Sequence, residues 1–155
     1  MLFIIDGYNF IHSIPPFIEH DQPILELLDL LSLYTELAKG KRCFIVFDGN
    51  PPPYFLKSDY KQCKTVTWDF SGSEQSADDY IQIKIENLTR QNECCLVTND
   101  RGLKGSVSSL ANTYESCEQF YSRITKAFGN HVESDEKKKA DTYSIEQWLS
   151  LFQKR

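Results

Sequence analysis

Three short apolar segments of this sequence each run into an aspartate, and this repeated pattern constrains the fold more than any other feature. The segments are Leu2 to Ile5 before Asp6, Cys43 to Phe47 before Asp48, and Cys94 to Thr98, which reaches Asp100 after one asparagine. Apolar runs of this length that end at turn-forming residues predict strands buried on both faces. An aspartate is therefore expected at the carboxyl end of each strand.

Helical patterns separate these strands. Asp21 is the predicted cap of a helix that carries Pro23 in its first turn and ends near Gly40. Ser76 is the predicted cap of a helix over Ala77 to Thr89. The remaining predicted elements are a loop with a short helix after Gly49, a strand at Thr65 to Phe70, a short helix at Leu103 to Leu110, an edge strand at Thr113-Tyr114, a helix from Ser116 to Phe128, an exposed loop over 129–142 and a last helix at Ile145 to Phe152.

Short strands that alternate with helices predict an α/β fold with a mainly parallel sheet of four to five strands, covered on both faces. A chain of 155 residues has the usual size of one domain, so we expect a single domain over residues 1–155. In such sheets, ligands bind outside the carboxyl ends of the strands, where the strand order reverses. The three aspartates are therefore expected to gather at one sheet edge.

The helix predicted after Ser76 adds two more carboxylates with different surroundings. Asp78 shares a helical stripe with Ile81 and Ile85, which places it at the end of the buried face. Asp79 instead shares a stripe with the polar residues Gln82, Glu86 and Arg90. We therefore predict that Asp78 joins the acidic cluster and that Asp79 is a supporting or surface residue.

Carboxylates gathered at one place repel one another, by about 4 kcal/mol for a pair about 4 Å apart at an effective dielectric near 20. A divalent cation with oxygen ligands removes this conflict, and magnesium suits carboxylates together with water and phosphate oxygens. Such an ion acidifies water and stabilises charge on phosphate oxygens, so phosphodiester hydrolysis is the predicted reaction class. Taken singly, each aspartate is equally well explained as a turn former or a helix cap.

Composition and motifs argue against several other classes of protein. No apolar run is long enough to span a membrane, and the first residues do not resemble a signal peptide, so a cytoplasmic protein is expected. The five cysteines lack zinc-site spacing and are predicted to be reduced core thiols. Phosphate-binding glycine loops, dinucleotide fingerprints and nucleophile elbows are absent from the sequence. The net charge of −5 predicts modest affinity for naked RNA, with a further partner presenting the substrate.

Four sequence strings, taken in order, resemble the YacP-like NYN family, a bacterial branch of the PIN-like nucleases. They run from Ile4 to Ile11, from Val46 to Gly49, from Ser76 to Ile81 and from Val97 to Gly102, and the closing segment from Ser144 to Phe152 resembles the last helix of that family. The Asp-Gly-Tyr-Asn string that begins at Asp6 is the most specific of them.

This resemblance implies a three-layer α/β/α PIN-like domain and an endoribonuclease that depends on Mg2+ or Mn2+. It further implies that the substrate is messenger RNA, cleaved on or near the ribosome. Carried over by position, Asp6, Asp78 and Asp100 would bind the metal and act in catalysis with Asp48 as a further acid, and Asn9, Asn99 and Arg101 would lie beside the substrate. The pattern of the residues adds Tyr8 and Asp79 as candidate substrate-binding residues. Asn99 stands where a serine is common in the family, which affects only the surroundings of the acids.

Further substrate contacts are open to two interpretations. Tyr8, Tyr54 and Phe55 are available to stack on bases. The basic residues that could frame a cleft are Lys57, Lys61, Lys64, Arg101 and Lys104, and Lys137 to Lys139 could touch RNA, although solvated surface charge is the simpler explanation for each. His12, His20 and His131 are predicted in loops as surface residues, with His12 close enough to the first aspartate to meet substrate.

Two other functions stay open at this point. The first is a non-catalytic RNA- or ribosome-binding protein that keeps the fold and part of the acidic cluster. The second is a phosphatase or a DNA nuclease that uses the same ions. Metal-dependent hydrolysis of a phosphodiester does not by itself distinguish ribose from deoxyribose. The predicted partners are RNA and the ribosome, with no membrane, and a monomer is the expected state.

Overall fold

A computed structural model describes residues 1–88, 93–107 and 113–131 of the chain, the side chain of residue 131 excepted. The strands are β1 (Leu2–Asp6), β2 (Arg42–Phe47), β3 (Val66–Phe70), β4 (Cys94–Val97) and β5 (Thr113–Glu115). The helices are α1 (Gly7–Ser13), α2 (Pro15–Ile18), α3 (Pro23–Leu37), α4 (Pro53–Leu56), α5 (Ala77–Glu86), α6 (Arg101–Ser106) and α7 (Cys117–His131).

The five strands form one parallel sheet in the order β3-β2-β1-β4-β5. β1 pairs with β2 on one side and with β4 on the other, so the strand order reverses at β1. The predicted parallel α/β sheet is confirmed. Its reversal point lies between the strands that deliver Asp6 and Asp100, where such sheets usually bind ligands.

Helices cover both faces of this sheet because side chains along each strand alternate between the two faces. Phe3 and Ile5 of β1 belong to a core cluster that includes residues of α1, α3 and α7. Ile4, between them, belongs to a second cluster with residues of α5 and α6. The three-layer arrangement predicted from the family resemblance is therefore confirmed. In the described part of the chain, no helix is both long and apolar enough to cross a membrane.

Gly7 allows α1 to start directly against β2. A Cβ atom at this position would overlap the ring of Phe47 and lie 3.0 Å from Cγ2 of Ile45. The glycine of the Asp-Gly-Tyr-Asn string is therefore needed for close packing. It is not needed for its backbone conformation, because its φ is not positive. This close approach fixes where Tyr8 and Asn9 stand relative to Asp6.

Several predicted element boundaries are wrong in the first part of the chain. α1 and α2 were not predicted, and His12 lies in α1 instead of a loop. α3 begins after Gln22, and Asp21 does not cap it, because Pro23 takes the first helical position and leaves Gln22 as the last non-helical residue. α3 also ends at Leu37, before the predicted stop at Gly40.

Differences also occur towards the other end. α5 ends at Glu86, three residues before the predicted end, and α6 starts at Arg101, because the side chain of Asp100 caps it. α7 continues through residue 131, where an exposed loop was predicted from residue 129. The predicted loop after residue 131, its three lysines and the last predicted helix lie outside the described residues, as do Thr89 and Leu110.

Candidate functional site

The carboxyl edge of the sheet brings together the aspartates that the sequence pattern singled out. Asp6 is the last residue of β1, and Asp48 and Asp100 follow β2 and β4. Asp78 lies in the first turn of α5. Asp6, Asp78 and Asp100 influence one another electrostatically, as the pKa shifts of Asp6 and Asp78 show.

Asp6 is the most buried of these carboxylates, with 9% of its surface exposed. Burial raises its pKa to about 6, and the negative charges of Asp78 and, more weakly, Asp100 act in the same direction. The Thr98 hydroxyl lies 3.3 Å from Asp6 Oδ2 and donates a hydrogen bond that partly opposes this shift. Among the described residues, no basic side chain forms an ion pair with Asp6. A buried carboxylate without a cation is costly.

Asp78 is held at this edge by the way α5 begins. The pKa of Asp78 is raised by burial first, and then by the charges of Asp100, Asp79 and Asp48. The Ser76 hydroxyl accepts a 3.1 Å hydrogen bond from the Asp79 N–H, as predicted for the cap of this helix. Asp48 Oδ1 accepts a 3.0 Å hydrogen bond from the Ala77 N–H and so joins the end of β2 to the start of α5.

Asp100 caps α6, and Asp48 accepts a hydrogen bond at the start of α5, so both have the structural role that was the simpler interpretation of the sequence. Asp100 Oδ1 accepts hydrogen bonds from the N–H groups of Gly102 at 2.8 Å and Leu103 at 3.2 Å. Its other carboxylate oxygen has no hydrogen-bond partner among the described residues. Capping therefore commits only one oxygen of Asp100, and the predicted roles of both residues in catalysis stay predictions.

Asn9 is the centre of a hydrogen-bond network that joins α1 to the end of β4. Its Oδ1 atom accepts from the Asn99 N–H at 2.7 Å and from the Cys117 thiol at 3.3 Å, and it lies 3.3 Å from the Thr98 hydroxyl. These donors fix the orientation of the amide, because only the oxygen can accept them. The Asn9 Nδ2 group has no partner among the described residues and stays available to an anionic ligand.

Asn99 uses its whole side chain within the protein. Its Oδ1 accepts a 2.9 Å hydrogen bond from the Cys117 N–H at the start of α7. Its Nδ2 donates to the hydroxyl of Ser13 at 3.0 Å and to the carboxylate of Glu118 at 2.7 Å. Both amide protons are thereby used, which favours a positioning role over the predicted substrate contact. The side chain of Asn99 thereby joins α1 to α7.

Four residues of this network were missed by sequence reasoning: Ser13, Thr98, Cys117 and Glu118. Thr98 is fully buried. Its hydroxyl oxygen accepts a 3.0 Å hydrogen bond from the Asp100 N–H and lies 3.3 Å from oxygens of both Asp6 and Asn9. Its signal was present in the sequence, as a hydroxyl closing an apolar strand just before Asn99. Ser13 and Glu118 carry no local signal, because their roles depend on contacts distant in sequence. Burial raises the pKa of Cys117 to about 12, so its thiol remains a donor.

Aromatic side chains flank the acidic edge on the β2 side. Tyr8 packs edge-on against Phe47, with ring centroids 5.4 Å apart. Burial raises the pKa of Tyr8, and nearby Tyr54 and Asp48 add to this shift, so Tyr8 lies near both α4 and one of the acids. Phe55 packs against Trp68 and Phe70 at 5.9 and 5.3 Å, which makes it part of the core as well as a half-buried surface ring.

The other predicted substrate contacts are distributed over different surfaces. Asp79 is exposed and lines a groove with Gln82 and Glu86, which confirms the predicted polar stripe of α5. Arg101 is exposed at the first residue of α6. Of the two interpretations offered for Lys64, surface charge is the one that fits, because Lys64 is exposed and precedes β3 at the opposite, amino edge of the sheet, in a groove with Arg42.

The donor set at the acidic edge fits a hard divalent cation, since it consists of carboxylate oxygens and includes a buried one without a basic partner. The fit is incomplete in one respect. In residues 1–88, 93–107 and 113–131, no three acidic, histidine or cysteine side chains are placed to hold one ion together. The aspartates interact electrostatically, and their side chains would have to approach one another to share a cation.

The sequence profile of the YacP-like NYN domain matches residues 3–153, nearly the whole chain. The chain belongs to the YacP-like NYN domain family. This is a family of ribonucleases, so membership supports a nuclease function for this NYN domain. No curated protein sequence matches the chain.

Two solved structures of Rae1 (YacP) from Bacillus subtilis share the fold of this NYN domain. A point mutant of Rae1 superposes with a TM-score of 0.67 at 16% identity, over 96% of this chain and 89% of Rae1. A second Rae1 structure gives a TM-score of 0.64 at 17% identity, over 99% of this chain and 93% of Rae1. At this identity, the similarity shows the fold alone.

Proposed function

We propose that this NYN domain is an endoribonuclease that hydrolyses RNA phosphodiester bonds with the help of Mg2+ or Mn2+. The observation that carries the proposal is the buried carboxylate of Asp6, whose pKa is raised to about 6 by burial and by Asp78 and Asp100. A protein keeps such a destabilising group where function requires it, and perturbed carboxylates in a site of this kind are typical of catalytic centres.

Asp6, Asp78 and Asp100 are the residues that would hold the ion. When bound, the ion supplies positive charge that makes a water molecule more acidic and offsets negative charge on the attacked and leaving oxygens. The carboxylate of Asp6 is oriented by the Thr98 hydroxyl, and Asp100 keeps one oxygen free of capping bonds. This arrangement leaves negative charge directed at the edge of the sheet where parallel α/β proteins bind ligands.

The remaining residues of the site would position the substrate and the acids. The Nδ2 group of Asn9 is a donor suited to a non-bridging phosphate oxygen, because the network holds its Oδ1 on the other side of the amide. Asp48 keeps α5, and with it Asp78, against the end of β2 through its bond to the Ala77 N–H. We expect Arg101 to add positive charge near the substrate, since it directly follows Asp100.

The biological setting we propose is messenger RNA in the cytoplasm, with the ribosome presenting the substrate. A net charge of −5 gives little general attraction to RNA, so a partner that holds the RNA would supply much of the affinity. The five cysteines are all free thiols, which suits a reducing compartment.

The test is cleavage of an end-labelled RNA by the purified protein with manganese, with magnesium and with a chelator, alone and together with ribosomes. We expect internal cuts that need the ion and that disappear in the Asp6→Asn variant. A DNA of the same sequence and a small phosphomonoester decide between a ribonuclease, a DNA nuclease and a phosphatase. Cleavage that continues in the chelator, or that survives Asp6→Asn, would refute the proposed mechanism.

A non-catalytic RNA- or ribosome-binding protein is the second candidate function. It is favoured by the finding that no three potential ligands of the described residues are placed to hold one ion. If the wild type and Asp6→Asn are equally inactive with either ion and with ribosomes, while both bind RNA or ribosomes, this second function replaces the first.

A further inference from the structure

The short helix α1 presents two polar stripes that make different contacts. Each stripe consists of two residues four apart, which lie on the same side of a helix. Asn9 and Ser13 form one stripe, and both are bonded to Asn99. Tyr8 and His12 form the other stripe. Phe10 and Ile11 complete the helix on its buried side. The stripe of Tyr8 and His12 therefore faces away from the network around Asn99, with Tyr8 packed against Phe47 of the core and His12 exposed.

Tyr8 and His12 form a stacked pair of rings beside the acidic edge. Their centroids are 6.1 Å apart and their planes differ by 19°. Tyr8 is half-buried and held edge-on against Phe47, whereas His12 is exposed. The pair begins two residues after Asp6, so it leads from the carboxylates to the surface of the molecule.

Packing in the fold accounts for the position of Tyr8 but not for that of His12. Tyr8 contributes to packing through its contact with Phe47, whereas the side chain of His12 is exposed and forms no hydrogen bond with the residues that the structure describes. An exposed ring that continues a rigid aromatic stack offers a flat face to a further ring. Proteins that bind single-stranded nucleic acids use such faces to stack bases. In a duplex, the base faces are covered by neighbouring pairs and cannot reach this surface.

We propose that Tyr8 and His12 form a stacking platform for an unpaired base next to the phosphodiester at the acidic edge, so that this protein takes single-stranded RNA. The proposal rests on the proposed function for the identity of the polymer, and it extends that function by naming His12 as a substrate-positioning residue and the unpaired strand as the substrate form. It predicts that binding through the platform needs a base but no divalent ion.

The test measures binding in a chelator, where no metal-dependent cleavage occurs, by fluorescence anisotropy of a labelled oligoadenylate. We expect His12→Ala to weaken binding by about 5-fold to 150-fold, the range measured for loss of one stacked base. His12→Phe should bind like the wild type, since it keeps the ring. His20→Ala is the matched substitution outside α1 and should leave binding unchanged. The same RNA annealed to its complement should bind more weakly to the wild type and should not respond to His12→Ala.

An oligonucleotide with the same number of phosphates but with abasic sugars separates stacking from charge. We expect it to bind weakly and to be insensitive to His12→Ala. Equal binding of wild type and His12→Ala to the oligoadenylate, or equal losses in His12→Ala and His12→Phe, would overturn the platform. Metal-dependent cleavage can persist in that case, so the two proposals fail separately: an inactive protein whose RNA binding needs His12 refutes the nuclease and keeps the platform.

Discussion

The backbone N–H of Asn99 donates a 2.7 Å hydrogen bond to Oδ1 of Asn9, across 90 positions of sequence. This bond joins the helix that follows Asp6 to the loop that leads into Asp100. Asp6 at the end of β1 and Asp100 after the adjacent strand β4 are thereby set in a fixed relation through nearby asparagines. The same bond orients the Asn9 amide so that its Nδ2 group is left for a ligand.

Replacing Asn99 by alanine is expected to reduce stability by about 1–3 kcal/mol, because it leaves the Cys117 N–H and the Ser13 and Glu118 side chains without their partner. Urea unfolding measures this loss, with Asn50→Ala, an exposed loop asparagine, as the control. We expect kcat to fall with stability, and Asn99→Ser to restore part of both. A variant of normal stability whose only defect is a higher KM would show instead that Asn99 contacts substrate.

Replacing Asp6 by asparagine is expected to stabilise the metal-free protein above the folded pKa of about 6. Because the folded pKa exceeds the ordinary value of 3.8, the favourable contribution of protonated Asp6 is complete below 3.8 and is lost as the pH rises through 6. The asparagine variant avoids this loss, which amounts to at most about 3 kcal/mol at about 1.4 kcal/mol per pKa unit.

The check is urea unfolding of both proteins in a chelator across this pH range. The difference in unfolding free energy should be small below the ordinary aspartate pKa and should grow until the pH passes the folded one. Added magnesium or manganese should then stabilise the wild type alone, since a ligand that binds only the folded state raises its stability. A variant that is less stable than the wild type at every pH would contradict the cost assigned to this carboxylate.

Replacing Asp48 separates its hydrogen bond to the start of α5 from a role in catalysis. Asp48→Asn keeps an oxygen that can accept the Ala77 N–H, whereas Asp48→Ala removes it. We therefore expect thermal unfolding to be nearly unchanged for asparagine and destabilised by about 0.5–2 kcal/mol for alanine. If asparagine keeps the melting temperature but abolishes cleavage, Asp48 is a catalytic acid. If asparagine keeps both, Asp48 acts only by holding α5.

Replacing Gly7 by alanine is expected to destabilise the fold by about 1–3 kcal/mol, because the new methyl group would overlap the Phe47 ring. Gly105→Ala is the matched control, since a Cβ there meets nothing within 4 Å and alanine is favoured over glycine inside a helix. Thermal melts of the two variants should therefore shift in opposite directions. Equal shifts would mean that α1 can move away from β2 at little cost.

Much of this arrangement could be predicted from the sequence because it depends on local patterns. Buried parallel strands are continuous apolar runs, so β1, β2 and β4 were evident, and parallel strands necessarily deliver Asp6, Asp48 and Asp100 to one edge. Ser76 was also predictable as a cap, since its hydroxyl bonds within its own helix.

What the sequence did not reveal depends on contacts between distant segments. α1 is short and directly follows a strand, so its sequence contains too few turns for a helical pattern of apolar residues to be recognised. Ser13, Cys117 and Glu118 gain their roles only when α7 packs beside α1. The relative closeness of the carboxylates is likewise a tertiary property, and the tight convergence predicted for one shared ion is not found in the described residues.

The bonds from Cys117 to Asn9 and Asn99 span 108 and 18 positions, and they close the network from the far end of the chain. Asp6 is made first, but the contacts that orient its surroundings exist only after α7 has begun to emerge during translation. A nascent chain that stops short of Cys117 carries the aspartates without this support. The proposed nuclease would therefore have its oriented acidic edge only after the start of α7 has been made.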